Sequence, residues 1–217
     1  MILGTLSMAF AGTACAGSAT GPVIPPAVAA AAHHGENVYD AVHASDWARA
    51  SASLDSLRIG TRGLVSSGGV ADTLRGQLIA HLDTLSGAVR ARLRLDALRE
   101  ANEVTRLAAE ASRPFAPSVP VEVTLLDYDG RLLELWAEQG NLAALHASTT
   151  RLRQDWQAVR ARVEARPGGP AEATAFEALV VRAEAATTGP EFGAIAPPIL
   201  DKVDSLEQLF VQTDRPD

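Results

Sequence analysis

Cysteine is nearly absent: Cys15 is the only one in 217 residues. No internal disulfide can form, and the two-cysteine haem attachment motif is excluded. Aromatic residues make up 5% of the chain, and the aliphatic share is mostly Ala, Leu and Val. Strands favour aromatic and β-branched residues, so a sheet-rich fold is disfavoured and helices packed through small residues are expected. Lysine is reduced to Lys202, and the formal net charge is -7. Such a surface is a poor match for phosphate backbones or anionic headgroups, which argues against nucleic acid as a partner. There is also no Gly-rich phosphate loop, no nucleophile elbow and no Glu-x-x-His pair of the di-iron type. No catalytic residue is assigned, and the expectation is a non-enzymatic protein.

What is present is helical periodicity. Leu125, Leu132, Leu135, Leu142, Leu145, Leu152, Trp156, Val159 and Val163 recur at helical spacing and predict one apolar stripe from Val121 to Arg166. Such a stripe needs other helices to cover it. A first helix is predicted from about Glu36 to Leu64, with Val38, Val42, Ala48, Ala52, Leu57 and Leu64 inward and Ser45-Asp46 as an internal cap. A second runs from about Val70 to Ala111, weakened at Gly76 and Gly87. Pro114, Pro117 and Pro120 make a connector. The third helix carries Gly140-Asn141 as a stop-and-restart signal. The fourth carries Phe176, Leu179 and Val180, is interrupted at Gly189-Pro190, and resumes with Pro198 in the first turn of a last segment.

A weak internal repeat supports this division. An offset of 95 residues brings Ala48 onto Ala143, Ala52 onto Ala147, Ser53 onto Ser148, Leu57 onto Leu152 and Arg58 onto Arg153. The cap residues Asp46 and Asn141 also coincide. The expected fold is all-α: an antiparallel up-down four-helix bundle of long, kinked helices built from two hairpins, residues 36–112 and 121–213.

The leader points to export. Residues 1–15 are apolar, uncharged and rich in small residues, and Gly12-Thr13-Ala14-Cys15 resembles the lipobox of bacterial lipoproteins. That resemblance implies lipidation at Cys15, a location in the periplasm or cell envelope, and membrane attachment through the anchor alone. Ala14-Cys15-Ala16 also fits a cleavage site for simple secretion. Residues 16–35 have no charge and read as a tether. Leu133-Glu-Leu-Trp-Ala-Glu-Gln-Gly-Asn-Leu-Ala-Ala-Leu145 resembles one helix-turn-helix of a tetratricopeptide repeat. The pairing of Gly-Asn or Ser-Asp with a small-residue helix is similar to imelysin-like periplasmic bundles, some of which serve iron uptake. Their His-x-x-Glu signature has a counterpart in spacing only at His33-His-Gly-Glu36.

Two polar constellations stand out. Glu36, Asp40 and His43 share one helical face through i, i+4, i+7 spacing, with His33 and His34 just upstream. Carboxylate and imidazole ligands on one face suit zinc, copper or iron, whereas an acidic first turn needs no metal at all. Asn102, with Asp127 and Arg131 across the connector, forms a candidate structural network that holds helix register. His81 and His146 have no second ligand at i+3 or i+4. Trp47, Trp136 and Trp156 follow the stripes and read as core or boundary residues. The functional expectation is a cell-envelope lipoprotein that works as an interaction or binding module with an unknown protein partner. The alternative is a periplasmic metal-handling bundle that holds a divalent ion; otherwise no cofactor is expected.

Overall fold

A computed structural model describes residues 23–66 and 68–211 of the chain, so Cys15 and the expected leader lie outside the described residues. Among these residues there are eight α-helices and no strand. They are α1 (Pro26–His43), α2 (Trp47–Gly60), α3 (Asp72–Ala91), α4 (Arg94–Ser112), α5 (Val121–Gln139), α6 (Leu142–Glu164), α7 (Gly169–Ala185) and α8 (Gly189–Val211). Within each set of four, consecutive helices pack on one another and the first packs on the fourth. Helices α4 and α5 join the two sets.

Each of the four long helices expected from the sequence is thus divided in two. The breaks at Ser45-Asp46 and Gly140-Asn141 have the same construction. Ser45 (φ 58°) and Gly140 (φ 65°) take the left-handed conformation that ends a helix. The next residue then caps the following helix: the Arg49 N–H donates to Asp46 Oδ1 at 3.0 Å, and the Ala144 N–H donates to Asn141 Oδ1 at 3.1 Å. The break between α3 and α4 falls at Arg92, left-handed at φ 54°, with the Leu93 N–H bonded back to the Ala88 carbonyl. No glycine marks it, so no punctuation was visible there. Gly76 and Gly87 instead lie inside an unbroken α3. At the fourth break, the Glu191 carboxylate accepts from the backbone N–H groups of Thr187 and Thr188 and caps the start of α8. Pro197 and Pro198 sit inside α8, so Pro198 does not open a last segment. Their missing N–H groups remove two ladder bonds, but burial of Ile195, Ala196 and Ile199 holds the helix through that stretch.

A second correction concerns the tether. Residues 26–35 are the first half of α1, and Ala27, Val28 and Ala31 are buried. Their partner face is small: a Cβ on Gly60 of α2 would meet Ala30 Cβ at 2.6 Å. Uncharged Ala-rich sequence is good helix material once such a face exists. The apolar stripes hold with few exceptions. Ala48, Ala52 and Leu142 are exposed, whereas Leu145, Leu152, Trp156, Val159 and Val163 are buried.

The 95-residue offset holds in three dimensions. It carries α1 onto α5, α2 onto α6 and α4 onto α8 by their first residues, and Pro25 onto Pro120 at the helix entries. Gly35 and Gly130 also correspond. A Cβ on Gly35 would lie 3.2 Å from Val104 Cγ1 of α4, and one on Gly130 would lie 3.2 Å from Ile199 Cγ2 of α8. Val104 and Ile199 are themselves 95 residues apart, so both halves use one glycine for the same close helix approach.

Two apolar cores result. One runs through α1–α4, including Leu57, Leu78, Leu98 and Leu107. The other runs through α5–α8 around Trp156, Phe176, Phe192 and Phe210. Helix α5 serves both: Tyr128, Leu132 and Leu135 belong to the first core, and Val123, Leu126 and Leu133 to the second.

Candidate functional site

A cleft of about 500 Å³ opens where the second half of α1 meets α5 and α8. Helix α1 contributes Glu36, Tyr39, Asp40 and His43, and α5 contributes Asp127, Arg131 and Glu134. Pro197, Leu200, Asp201 and Asp204 come from α8. Spacing of three and four residues lines these side chains up on one face of each helix. The repeat has diverged here in a telling way: the 95-residue offset places Arg131 where Glu36 stands, so equivalent positions carry opposite charges into one cleft.

Arg131 and Asp127 are the mostly buried charges of the cleft. The Arg131 Nε forms an ion pair with Asp127 Oδ2 at 3.0 Å, and the guanidinium carbon lies 4.6 Å from the centroid of the Tyr39 ring. The pair is mostly buried, yet Arg131 Nη1 has no hydrogen-bond partner, and neither does the Tyr39 hydroxyl. Tyr39 is 4% exposed. Burial, followed by the Glu134 charge, pushes its hydroxyl well above the usual range, so it remains a proton donor. At the rim His43 Nε2 and Glu134 Oε1 are 3.2 Å apart, while Asp40, Asp201 and Asp204 are exposed.

Carboxylates outnumber cations, and this shows in their protonation. Burial pushes the Glu36 carboxyl up to about 7; Arg131 pulls it down, and Asp127 and Asp40 add to the rise. Glu207 on α8 is pushed up to about 7 by burial and by Asp127 and Glu36. Asp127 is also raised, chiefly by burial and against the pull of Arg131. Glu36 and Glu207 are therefore partly protonated near neutral pH.

Chemistry-bearing residues from separate stretches of sequence thus meet. Glu36, Asp40 and His43 share the cleft with Asp127 and Arg131. Asn102 does not join them: its side-chain N–H donates to the Tyr128 carbonyl at 3.0 Å, in the interface of α4 and α5. His33 and His34 also lie apart from the cleft lining. His33 pairs with Asn37 at 3.2 Å, and the two imidazole centroids are 4.9 Å apart. Among the described residues, no three His, Cys, Asp or Glu side chains converge in a way that could hold a metal ion. His81 bonds Glu100 at 2.7 Å, and His146 packs edge-on to Phe192.

Compared with known protein families, curated proteins and solved structures, the chain matches none.

The residues missed from sequence are Tyr39, Glu134, Asp201 and Asp204. Acids three apart on a helix look like a solvated face, and only packing against α1 and α5 places the exposed Asp201 and Asp204 at the rim of a cleft. Tyr39 carried a usable signal, since it falls between Glu36 and His43 at helical spacing from both.

A second polar pocket lies on the opposite side of α5, between α4 and α6, lined among others by Arg106, Tyr128, Asp129, Arg151 and Asp155. Arg151 Nε donates to Asp129 Oδ1 at 3.1 Å, while Asp129 Oδ2 is buried without a partner. Burial raises Asp129 to about 7 against the pull of Arg151, and Asp155 to about 6. The Tyr128 hydroxyl donates to Glu103 at 2.5 Å. This partly buried network ties three helices together.

Proposed function

We propose that the protein is a non-enzymatic binding module of the cell envelope, attached to the membrane through Cys15, and that it works through the cleft between α1, α5 and α8. The observation that carries the reading is the pair of buried donors, Arg131 Nη1 and the Tyr39 hydroxyl, left without acceptors in a cleft walled by carboxylates. A native site rarely buries unsatisfied donors without something to meet them. The lining offers recognition groups but no serine, threonine or cysteine, and Tyr39 is held protonated. No helix among the described residues is long and apolar enough to cross a membrane, so attachment would depend on the lipidated terminus.

Two measurements test this. The full-length protein, expressed in a bacterial host, should sediment with membranes, and Cys15→Ala should release it. Native mass spectrometry of protein exposed to envelope extract should show a bound species that Asp201→Asn/Asp204→Asn removes while the helical circular dichroism persists. Membrane association that ignores Cys15 refutes the anchor. Wild type that emerges unliganded from every extract refutes the binding role.

A further inference from the structure

The cleft presents two kinds of unmet chemistry at different depths. Deep in it, two groups that can donate lack partners: Arg131 Nη1 and the protonated Tyr39 hydroxyl. They call for an oxygen acceptor. At the rim, Asp40, Asp201 and Asp204 are exposed carboxylates, while Glu134 is engaged by His43 and Asp127 by Arg131. They call for a positive charge. A bare metal ion would leave both donors unmet, and among the described residues no three-ligand arrangement exists for one. An inorganic anion would meet the donors but face the excess of carboxylates. A simple amine would meet the rim alone. Only a ligand with an acceptor at one end and a cation at the other answers both, and a net positive charge suits the acidic walls.

Resting on the binding role given above, we propose that the cleft binds a basic amino acid. Its α-carboxylate meets Arg131 and Tyr39, and its side-chain cation lies among Asp40, Asp201 and Asp204. The guanidinium is already fixed by Asp127 and the Tyr39 ring, so little ordering is required when a carboxylate arrives. A cleft of about 500 Å³ is within the range that holds small molecules.

Isothermal titration of the full-length protein with L-lysine and L-arginine, then with lysinamide and cadaverine, tests the assignment. At least one of the amino acids should bind. Lysinamide, whose carboxylate is an amide, and cadaverine, which lacks it, should bind the same protein at least tenfold more weakly. Tyr39→Phe removes one oxygen at a packed position and should weaken amino-acid binding about threefold to tenfold. Asp201→Asn/Asp204→Asn should weaken it at least tenfold. Cadaverine binding as tightly as lysine, or an unchanged affinity in Tyr39→Phe, overturns the proposal. Failure of both amino acids also overturns it. If the envelope extract still yields a species lost in the double variant, only the ligand class has failed and the binding role stands.

Discussion

Replacing Asp129 by asparagine should change how stability depends on pH, and the size of the change follows from one buried carboxyl. Asp129 is fully buried, one oxygen accepts from Arg151, and the other has no partner. Its carboxyl rises from 3.8 to about 7, chiefly through burial, with Arg151 opposing. Between those values the native protein holds a proton that the unfolded chain releases. Folding then takes up a proton, and stability falls as pH rises through the window, levelling off above about 7. A shift of roughly three units corresponds to about 4 kcal/mol across the whole window, of which about 2–3 kcal/mol falls between pH 5 and pH 8. Glu36 and Glu207 push in the same direction, but they remain in both proteins and cancel in the comparison. Urea unfolding of wild type and Asp129→Asn at pH 5, 6.5 and 8 reads the difference directly. The variant should gain on wild type by about 2–3 kcal/mol from pH 5 to pH 8. A difference that stays constant with pH would show that Asp129 is ionised throughout and refute the reasoning.

Three further outcomes are expected. Arg92→Gly should stabilise the protein by about 1 kcal/mol in thermal or urea unfolding, because glycine takes the left-handed φ of 54° without a Cβ penalty; destabilisation would mean the Arg92 side chain matters more than its backbone. Trp156→Ala should cost about 3–5 kcal/mol, since the side chain is fully buried, packs on Phe176 and donates to Glu177 at 2.7 Å; a loss under about 1 kcal/mol would contradict its place in the core. Zinc, copper and iron should leave the melting temperature unchanged in wild type and in His43→Ala, and a stoichiometric ion lost in the variant would revive metal handling.

Legibility in the sequence followed the physics of each feature. Apolar stripes are a periodic signal, so the helices through Leu78, Leu98, Leu152 and Val180 could be located. Cap residues are a local signal, so Asp46 and Asn141 marked breaks, and their shared offset exposed the repeat. The break at Arg92 had no such signal, because an arginine in the left-handed region is chosen by the packing on either side of it. The first half of α1 was hidden for a related reason: the face that covers its alanine run is Gly60 of α2, a small-residue contact that leaves no periodic signal. At the cleft, Glu36, Asp40 and His43 could be grouped along one helix. Their meeting with Asp127, Arg131, Asp201 and Asp204 depends on how three helices pack, which no spacing rule encodes. Asn102 went astray because its partner is the Tyr128 backbone carbonyl, which leaves no trace in side-chain pattern.

Helix α5 supplies side chains to both apolar cores and also carries Arg131 into the cleft. Neither half can therefore melt and leave the other intact: unfolding α1–α4 strips Tyr128, Leu132 and Leu135 of their cover, and unfolding α6–α8 does the same to Val123, Leu126 and Leu133. Heating should give a single calorimetric transition whose van't Hoff and measured enthalpies agree, despite the duplicated architecture. Two resolved transitions would show that the halves are thermodynamically separate. With one transition, whatever braces Arg131 braces the entire chain, so occupancy of the cleft would register as resistance to unfolding in helices far from it.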